Sequence, residues 1–445
     1  MDSRTITLPY GGQSVEFTLA GAELIGQYGI AERPPVQDLG QAVRSALAAP
    51  VASDALSRMA RGKARVVIIS DDATRPTPVA SIVPCVMDEL NAAGVTDDAV
   101  TVVMANGTHR SMTQAEIEQK IGPEMASRLR VENHDYRADD LVDLGATPSG
   151  VPVAINRRVA EADLVIGIGS IVPHRYCGWS GGAKIVQPGV CGEKTTVATH
   201  LMITRDPGVR LGNVENVVRH EMEAVAKRAG LRFIVNVVLN ARGEVTHVVA
   251  GDPMRAHREG VVRAMEVAAA CIPCRADLVI AGSHPADMNF WQAGKALYTA
   301  DLAVVDGGTI ILVTPAYEGI GEHPEFGALL GVEYDEIMSS LERGLIGDRL
   351  GAAAALAVRL VARRAKIVVV TDGLRREEVE KMGFEYYPRL ELQRAVDNVV
   401  ARYRGGAGCE ACKAIVLTEA PDVLPVIQSE LDQNGIAAES ELDRS

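Results

Sequence analysis

Four stretches of this chain combine groups able to exchange protons, bind anions or approach a ligand closely. Asp71-Asp72-Ala73-Thr74-Arg75-Pro76-Thr77-Pro78 offers two carboxylates, hydroxyls and a guanidinium, and Asn106-Gly107-Thr108-His109-Arg110 offers an imidazole beside a second guanidinium. The long segment from Ser170 to Gly189 contains His174, Arg175, Tyr176, Cys177, Trp179 and the Gly181-Gly182-Ala183-Lys184 run, with His200 a little further on. The fourth, from Ser283 to Lys295, holds His284, Asp287, Asn289, Trp291, Gln292 and Lys295. Imidazoles, with an unperturbed pKa of ~6.5, accept and donate protons near neutrality. A guanidinium fork matches a carboxylate, and a lysine supplies a mobile point charge. Glycines beside Lys184 let backbone come close to a bulky group. The SGGAK run lacks the Gly-Lys-Ser/Thr ending of a nucleotide P-loop, and GIG at 167–169 lacks the third glycine of a dinucleotide fingerprint.

These stretches follow short β-branched runs. Residues 64–70, 99–105, 163–169 and 232–240 form one series, and 277–282, 309–315, 365–372 and 413–420 form another, with helical stretches between. Such runs predict buried, largely parallel sheets covered by helices, and the polar segments then fall beyond the strands' carboxyl ends, where open α/β sheets bind ligands. The predicted fold class is α/β, with two domains and an active-site cleft between them. The boundary is placed near Cys271-Ile272-Pro273-Cys274: an N-terminal domain over 1–272, a smaller C-terminal α/β domain over 273–425, and a terminal helix and frayed tail over 426–445. The opening residues alternate apolar and polar like an edge hairpin and do not resemble a signal peptide.

With 445 residues, 47% of them hydrophobic, the chain can bury a large core. Its formal charge of −13, with no basic block to offset it, argues against nucleic acid as a partner. No apolar run reaches the ~20 residues that span a bilayer. Seven cysteines in a chain this long do not suggest a disulfide framework. A soluble protein of the reducing cytoplasm is therefore expected, with no membrane partner.

The DDATRPTP, NGTHR, PHRYCGWSGGAKIVQPG and NFWQAGKA stretches, taken in this order, resemble the nickel-dependent lactate racemase family over most of the chain. The resemblance implies a racemase or epimerase of 2-hydroxy acids. Its cofactor would be a nickel-pincer nucleotide, the nickel complex of pyridinium-3-thioamide-5-thiocarboxylate mononucleotide, tethered to Lys184 through a thioamide with His200 as the nickel ligand. It also implies His109 and His174 as the acid/base pair. Contacts to phosphate and carboxylate map onto Asp72, Thr74, Arg75, Gln292 and Lys295, with Arg75, Lys295 and Trp291 toward substrate. Partners would be a small 2-hydroxy acid and the enzymes that build the cofactor. Removing the Cα proton would place a carbanion beside a carboxylate, whereas a hydride route through a planar 2-keto acid avoids that species and leaves proton transfer to the protein. Tryptophan at 291 replaces an expected tyrosine, and no tryptophan lies beyond it. These departures fall on the substrate pocket and leave the acid open among lactate, malate, longer aliphatic or aromatic 2-hydroxy acids and aldonates.

Plainer readings stand beside these. Asp71, Asp72 and Thr74 would serve equally as caps of the following helix. Trp179 and Trp291 suit packing as well as a pocket wall. His134, His220, His247, His257 and His323 are expected at the surface or in packing, and His284 is intermediate. The Cys271/Cys274 and Cys409/Cys412 pairs, more than 130 residues apart, are too distant for a compact metal module. A nicotinamide-dependent dehydrogenase and a noncatalytic cofactor-binding protein are the alternative functions.

Overall fold

In the computed structural model, residues 5–204, 206–321, 323, 325–403 and 411–428 are described. The strand Val66–Asp71 is buried at every position, as a strand covered on both faces must be. It sits inside a six-stranded sheet ordered Val245–Gly251, Leu231–Leu239, Leu164–Ser170, Val66–Asp71, Val100–Ala105 and Arg130–Asn133. All neighbours are parallel except the Val245–Gly251 edge strand, which runs antiparallel to Leu231–Leu239. From Val66–Asp71 the chain builds outward to Arg130–Asn133, then returns to lay Leu164–Ser170 on the opposite side. The strand order therefore reverses between Val66–Asp71 and Leu164–Ser170, and crevices at such reversals are where ligands bind. Residues Ile68, Ile166, Val83, Val86 and Phe233, all without solvent exposure, belong to one apolar core under this sheet.

The second sheet also has six strands, in the order Glu385–Tyr387, Lys366–Val370, Val304–Val313, Ala276–Gly282, Cys412–Leu417 and Ala22–Tyr28, all parallel. It is thus not the smaller sheet expected. Its order reverses between Ala276–Gly282 and Cys412–Leu417, so the polar 283–295 segment again leaves a strand at a reversal. Its core joins Leu278, Ile311 and Val416 to Ile6, Leu8 and Phe17 of the hairpin Thr5–Tyr10/Gln13–Thr18.

Contacts divide the chain into two units. One combines the chain up to Ile30 with Ala268–Ile346 and the chain from Ala355 onward, and the other comprises Ala31–Val267 and Gly347–Ala354. The change of unit at 268 lies close to the expected boundary at 272. The first thirty residues, expected with the N-terminal domain, belong instead to the second sheet's unit, because Ala22–Tyr28 pairs with Cys412–Leu417. Where 426–445 was expected to form a helix and tail, Leu424–Ile427 is a strand paired with Ala269–Ile272, and residues from 429 lie outside the described set. Among the described residues no helix is long and apolar enough to cross a membrane.

Candidate active site

At the end of Val66–Asp71 two adjacent carboxylates face different tasks. Asp71 accepts from Thr77 Oγ1 at 2.5 Å and meets Lys120 Nζ at 2.8 Å, and the same Nζ donates to the Arg75 carbonyl at 2.7 Å. A buried ion pair therefore straps the 72–78 turn from beneath. Asp72 accepts from the Thr74 amide at 3.2 Å and the Thr74 hydroxyl at 2.6 Å through one oxygen, while its other oxygen stands 2.7 Å from His109 Nδ1. The helix that follows, Val79–Ala92, starts after Pro78 with no side-chain cap, so Asp71, Asp72 and Thr74 are committed to the turn and to His109 instead. Burial works to raise the Asp72 pKa, but His109, the Thr74 hydroxyl and Arg75 outweigh it and hold the carboxyl below the usual range. An ionised carboxylate only accepts, so His109 carries a proton on Nδ1 and, when neutral, presents a bare Nε2.

Beyond Leu164–Ser170 the chain folds back as a short antiparallel bridge in which Pro173 and His174 face Trp179 and Gly178. His174 Nδ1 lies 3.3 Å from the Tyr176 amide, 3.5 Å from the Cys177 amide and 3.2 Å from Cys177 Sγ. The Tyr176 ring stands between two imidazoles, with centroids 5.9 Å from His174 and 4.5 Å from His200. His200 closes the helix Glu193–His200, and its Nδ1 is 2.9 Å from the Thr196 carbonyl. Since a carbonyl accepts, the proton sits on Nδ1 and Nε2 keeps a lone pair, the form in which an imidazole binds a metal.

Lys184 lies in the turn Gly182–Ile185. Burial, then the nearby Arg75, push its ammonium down to about 8, with Cys177 and Asp72 opposing. Asp72 and Arg75 thus act electrostatically on Lys184 while Asp72 also holds His109, and the Gly107 amide donates to the Gly189 carbonyl at 3.0 Å, tying the His109 loop to the Lys184 loop. Three residues away in sequence fix this loop. Arg219, with 0% exposure, donates to the carbonyls of Cys177 at 3.3 Å, Gly181 at 3.2 Å and Trp179. Asn236 accepts from the Gly182 amide at 2.8 Å, and His257 Nε2 lies 2.8 Å from the Ser180 carbonyl. None of the three lies in a motif, so no local signal marks Arg219 or Asn236, and His257, expected at the surface or in packing, is buried and also secures the loop. Trp179 is a packing residue: it is fully buried and donates Nε1–H to the Gly212 carbonyl at 2.8 Å.

In the other unit the helix Phe290–Ala303 begins at Asn289, whose side chain accepts from the Gln292 amide at 3.0 Å. Lys295 Nζ donates to Gln292 Oε1 at 2.5 Å. Trp291 stacks on His323 with centroids 4.3 Å apart and meets Phe326 edge-on at 4.9 Å. His284 Nδ1 pairs with Asp287 at 3.2 Å, which raises its pKa. Of the two CxxC pairs, Cys409 lies outside the described residues, and among the described residues no group of three or more His, Cys, Asp or Glu could hold a metal ion.

A doubly wound α/β unit carries the Asp72–His109 pair and a lysine of lowered basicity in loops beyond the carboxyl ends of its strands, the place where enzymes of this fold class bind their ligands. The chain belongs to the lactate racemase family and is an isomerase of the racemase type: residues 10–212 match the lactate racemase N-terminal domain and residues 271–404 the lactate racemase C-terminal domain. It is 32% identical to the lactate racemase of Lactiplantibacillus plantarum over 396 residues, covering 87% of this chain and 90% of that protein. It is also 32% identical to the lactate racemase of Thermoanaerobacterium thermosaccharolyticum over 328 residues, 71% of this chain and 75% of that protein. The structure of the lactate racemase apoprotein from Thermoanaerobacterium thermosaccharolyticum superposes with a TM-score of 0.84 at 27% identity, covering 95% of this chain and all (100%) of that one. A Thermotoga maritima protein shares the fold, with a TM-score of 0.69 at 20% identity over 89% of this chain and 100% of that one.

Proposed function

We propose that this chain inverts the C2 centre of a 2-hydroxy acid, lactate or a close relative, with a nickel-pincer nucleotide tethered to Lys184 and His200 as the nickel ligand. The observation that carries the proposal is the Asp72–His109 pair at 2.7 Å beside a lysine whose amine is brought down to about 8. The residues suit the cofactor. An amine of lowered basicity is available for a thioamide link, and an imidazole with Nδ1–H on the Thr196 carbonyl offers Nε2 to a metal. Nickel(II) accepts an imidazole alongside soft sulfur donors, so His200 would serve as its protein ligand. When bound, the cofactor supplies the hydride acceptance and return at Cα.

The remaining work falls to the chain. The neutral His109 ring takes the hydroxyl proton at Nε2 while Asp72 stabilises the resulting imidazolium, and His174 gives or takes the proton for the opposite hydroxyl orientation. Arg75 is assigned to the substrate carboxylate, its fork matching two oxygens. Asp72 and Thr74 are assigned to the cofactor's surroundings. Gln292 and Lys295 are assigned to anionic groups of cofactor or substrate, and Trp291 to substrate. We place the protein in the cytoplasm, served by cofactor-building enzymes, with no nucleic-acid or membrane partner.

The test is coproduction with cofactor-building enzymes, then intact mass, nickel content and a chiral assay over a panel of 2-hydroxy acids that includes lactate. A mass increase lost in Lys184→Ala, nickel lost in His200→Ala and scrambling of one panel member are expected. Loaded protein that scrambles none of them overturns the enzymatic assignment and leaves a cofactor-binding protein.

A further inference from the structure

The two adjacent carboxylates that end Val66–Asp71 reach the same downstream segment at two places. Asp72 meets His109, and Asp71 meets Lys120 on the helix Gln114–Ile121 that leaves the His109 loop. Lys120 shares its buried helix face with Ile117 and Ile121, and its side chain is only 7% exposed. From there Nζ reaches Asp71 at 2.8 Å and donates to the Arg75 carbonyl at 2.7 Å, while Asp71 accepts from Thr77 at 2.5 Å. We propose that Lys120 is the positioning residue of Arg75: by holding the backbone at that carbonyl it fixes where the guanidinium meets the substrate carboxylate.

The assignment follows from what else holds the turn. Asp72 is anchored locally, through the Thr74 amide and hydroxyl and through His109. Arg75 is supported differently. Its amide bonds to the Asp72 carbonyl at 3.2 Å, the long end of the usual range, and the next residue is a proline with no N–H to give. The latch from Lys120 to the Arg75 carbonyl and from Asp71 to Thr77 therefore sets the path of residues 75–77. A hydrogen bond from an ammonium is roughly twice as strong as a neutral one. A buried ion pair adds little net stability, because desolvation offsets its attraction; what this pair supplies is a fixed backbone direction beside a group that must meet a ligand. After burial, Arg75 is the strongest influence lowering the Lys184 amine, so that lysine reports the guanidinium's place without any ligand.

The proposal rests on the assignment of Arg75 to the substrate carboxylate, but its first test needs neither substrate nor cofactor. Lys120→Met alone would strand Asp71 as an unpaired buried charge, whereas Lys120→Met with Asp71→Asn removes both charges together and should keep the fold. In the full-length double variant, with lysine 13C-labelled at Cε and Lys184 assigned through Lys184→Met, 1H–13C spectra across pH follow the Lys184 amine. It should titrate above its wild-type value, its proton held about threefold or more tighter, because Arg75 is no longer kept in place. In loaded protein, KM for the panel acid that wild type scrambles should rise about tenfold, the scale of one hydrogen-bonded contact. Its kcat should stay within about threefold of wild type, the pattern of a lost binding contact. A fall in kcat with KM unchanged overturns the proposal, and so does a Lys184 titration identical to wild type in the folded double variant. Failure of loaded wild-type protein to racemise anything would overturn the functional reading, while the Lys184 titration still decides whether Lys120 places Arg75.

Discussion

Asp72 is buried and ionised, and both properties matter for His109. A carboxylate 2.7 Å from Nδ1 fixes the ring's orientation and its Nδ1–H tautomer. Asp72→Asn keeps the shape but removes the charge and lets an amide N–H face Nδ1, which favours the unproductive tautomer. Turnover of loaded protein should fall about 10²–10⁴-fold, as for loss of a proton-transfer group, with the denaturation midpoint near neutrality little changed; activity within twofold of wild type would discard the orienting role. Because the folded carboxyl titrates below its ordinary value, its stabilisation is complete above about pH 4 and is lost as pH falls through the lower folded value. Acid unfolding should therefore be less steep in Asp72→Asn. Lys184 works in the other direction. Its amine titrates at about 8 when folded and at 10.5 ordinarily, so the unfolded chain holds more protons between those values and stability rises with pH across that window. In unloaded protein Lys184→Met should be more stable at pH 7 by on the order of 1 kcal/mol after solvent screening, and should lose the rise between pH 8 and 10.5 in chemical denaturation. What was legible in sequence is that His109, His174 and Lys184 lie in segments that leave strands. Their partners were not. Nothing local announces that Asp72 orients a histidine 37 positions away, or that Asp71, its neighbour, serves a lysine instead.

At the scale of elements, the glycines of the 170–189 segment were expected to admit a bulky ligand, whereas the close neighbours of Gly182 and Gly189 are the chain's own His257 and Ile185, and the segment's anchorage left no local sign at all. Gly182 adopts φ +56°, and a Cβ there would lie 2.8 Å from His257 Cγ, so the position needs glycine for both backbone and space. Gly189 is tighter still, with a Cβ only 2.0 Å from the Ile185 carbonyl oxygen. Gly182→Ala should destabilise the unloaded protein by about 1–3 kcal/mol and slow attachment of cofactor to Lys184, read by intact mass over time; full-rate attachment would show that the turn tolerates displacement. Arg219 presents the converse case. It comes from the helix Val217–Arg228, outside every recognisable motif, yet its guanidinium satisfies three carbonyls of the turn. Arg219→Ala would strip the charged donor from each of these acceptors, which keep only the Trp179 amide, the Lys184 amide and the Cys177 thiol, at about 1.5–3 kcal/mol for each charge-assisted bond that water does not replace. A midpoint shift in denaturant smaller than that of Gly182→Ala would mean that water replaces the guanidinium.

For the whole molecule, the strand runs gave the α/β class, because burial on both faces leaves a local, β-branched imprint; the boundary near 271–274 rested instead on a proline break, and the chain changes unit at 268. The allegiance of the first thirty residues left no such imprint. Strand Ala22–Tyr28 pairs in parallel with Cys412–Leu417, and the link from Thr418 to the Tyr28 carbonyl spans 390 positions, so no neighbouring sequence records it. The consequence is testable by deletion. Removing residues 1–30 strips the hairpin whose Ile6, Leu8 and Phe17 are buried in the second sheet's core, and it turns Cys412–Leu417, buried at nearly every position, into an unpaired edge. An exposed apolar edge invites association with other chains. The truncated protein should aggregate at micromolar concentration, and amide exchange should accelerate in Ala276–Gly282 and Cys412–Leu417. The strands Val66–Asp71 and Leu164–Ser170, which draw their core from other residues, should keep near-native protection. Equal loss of protection in both sheets would show that the two units fold as one cooperative body. Protection retained around Asp72 and Ser170 would show instead that the carboxylate–imidazole pair and the turn bearing Lys184 are assembled by the unit that contains them.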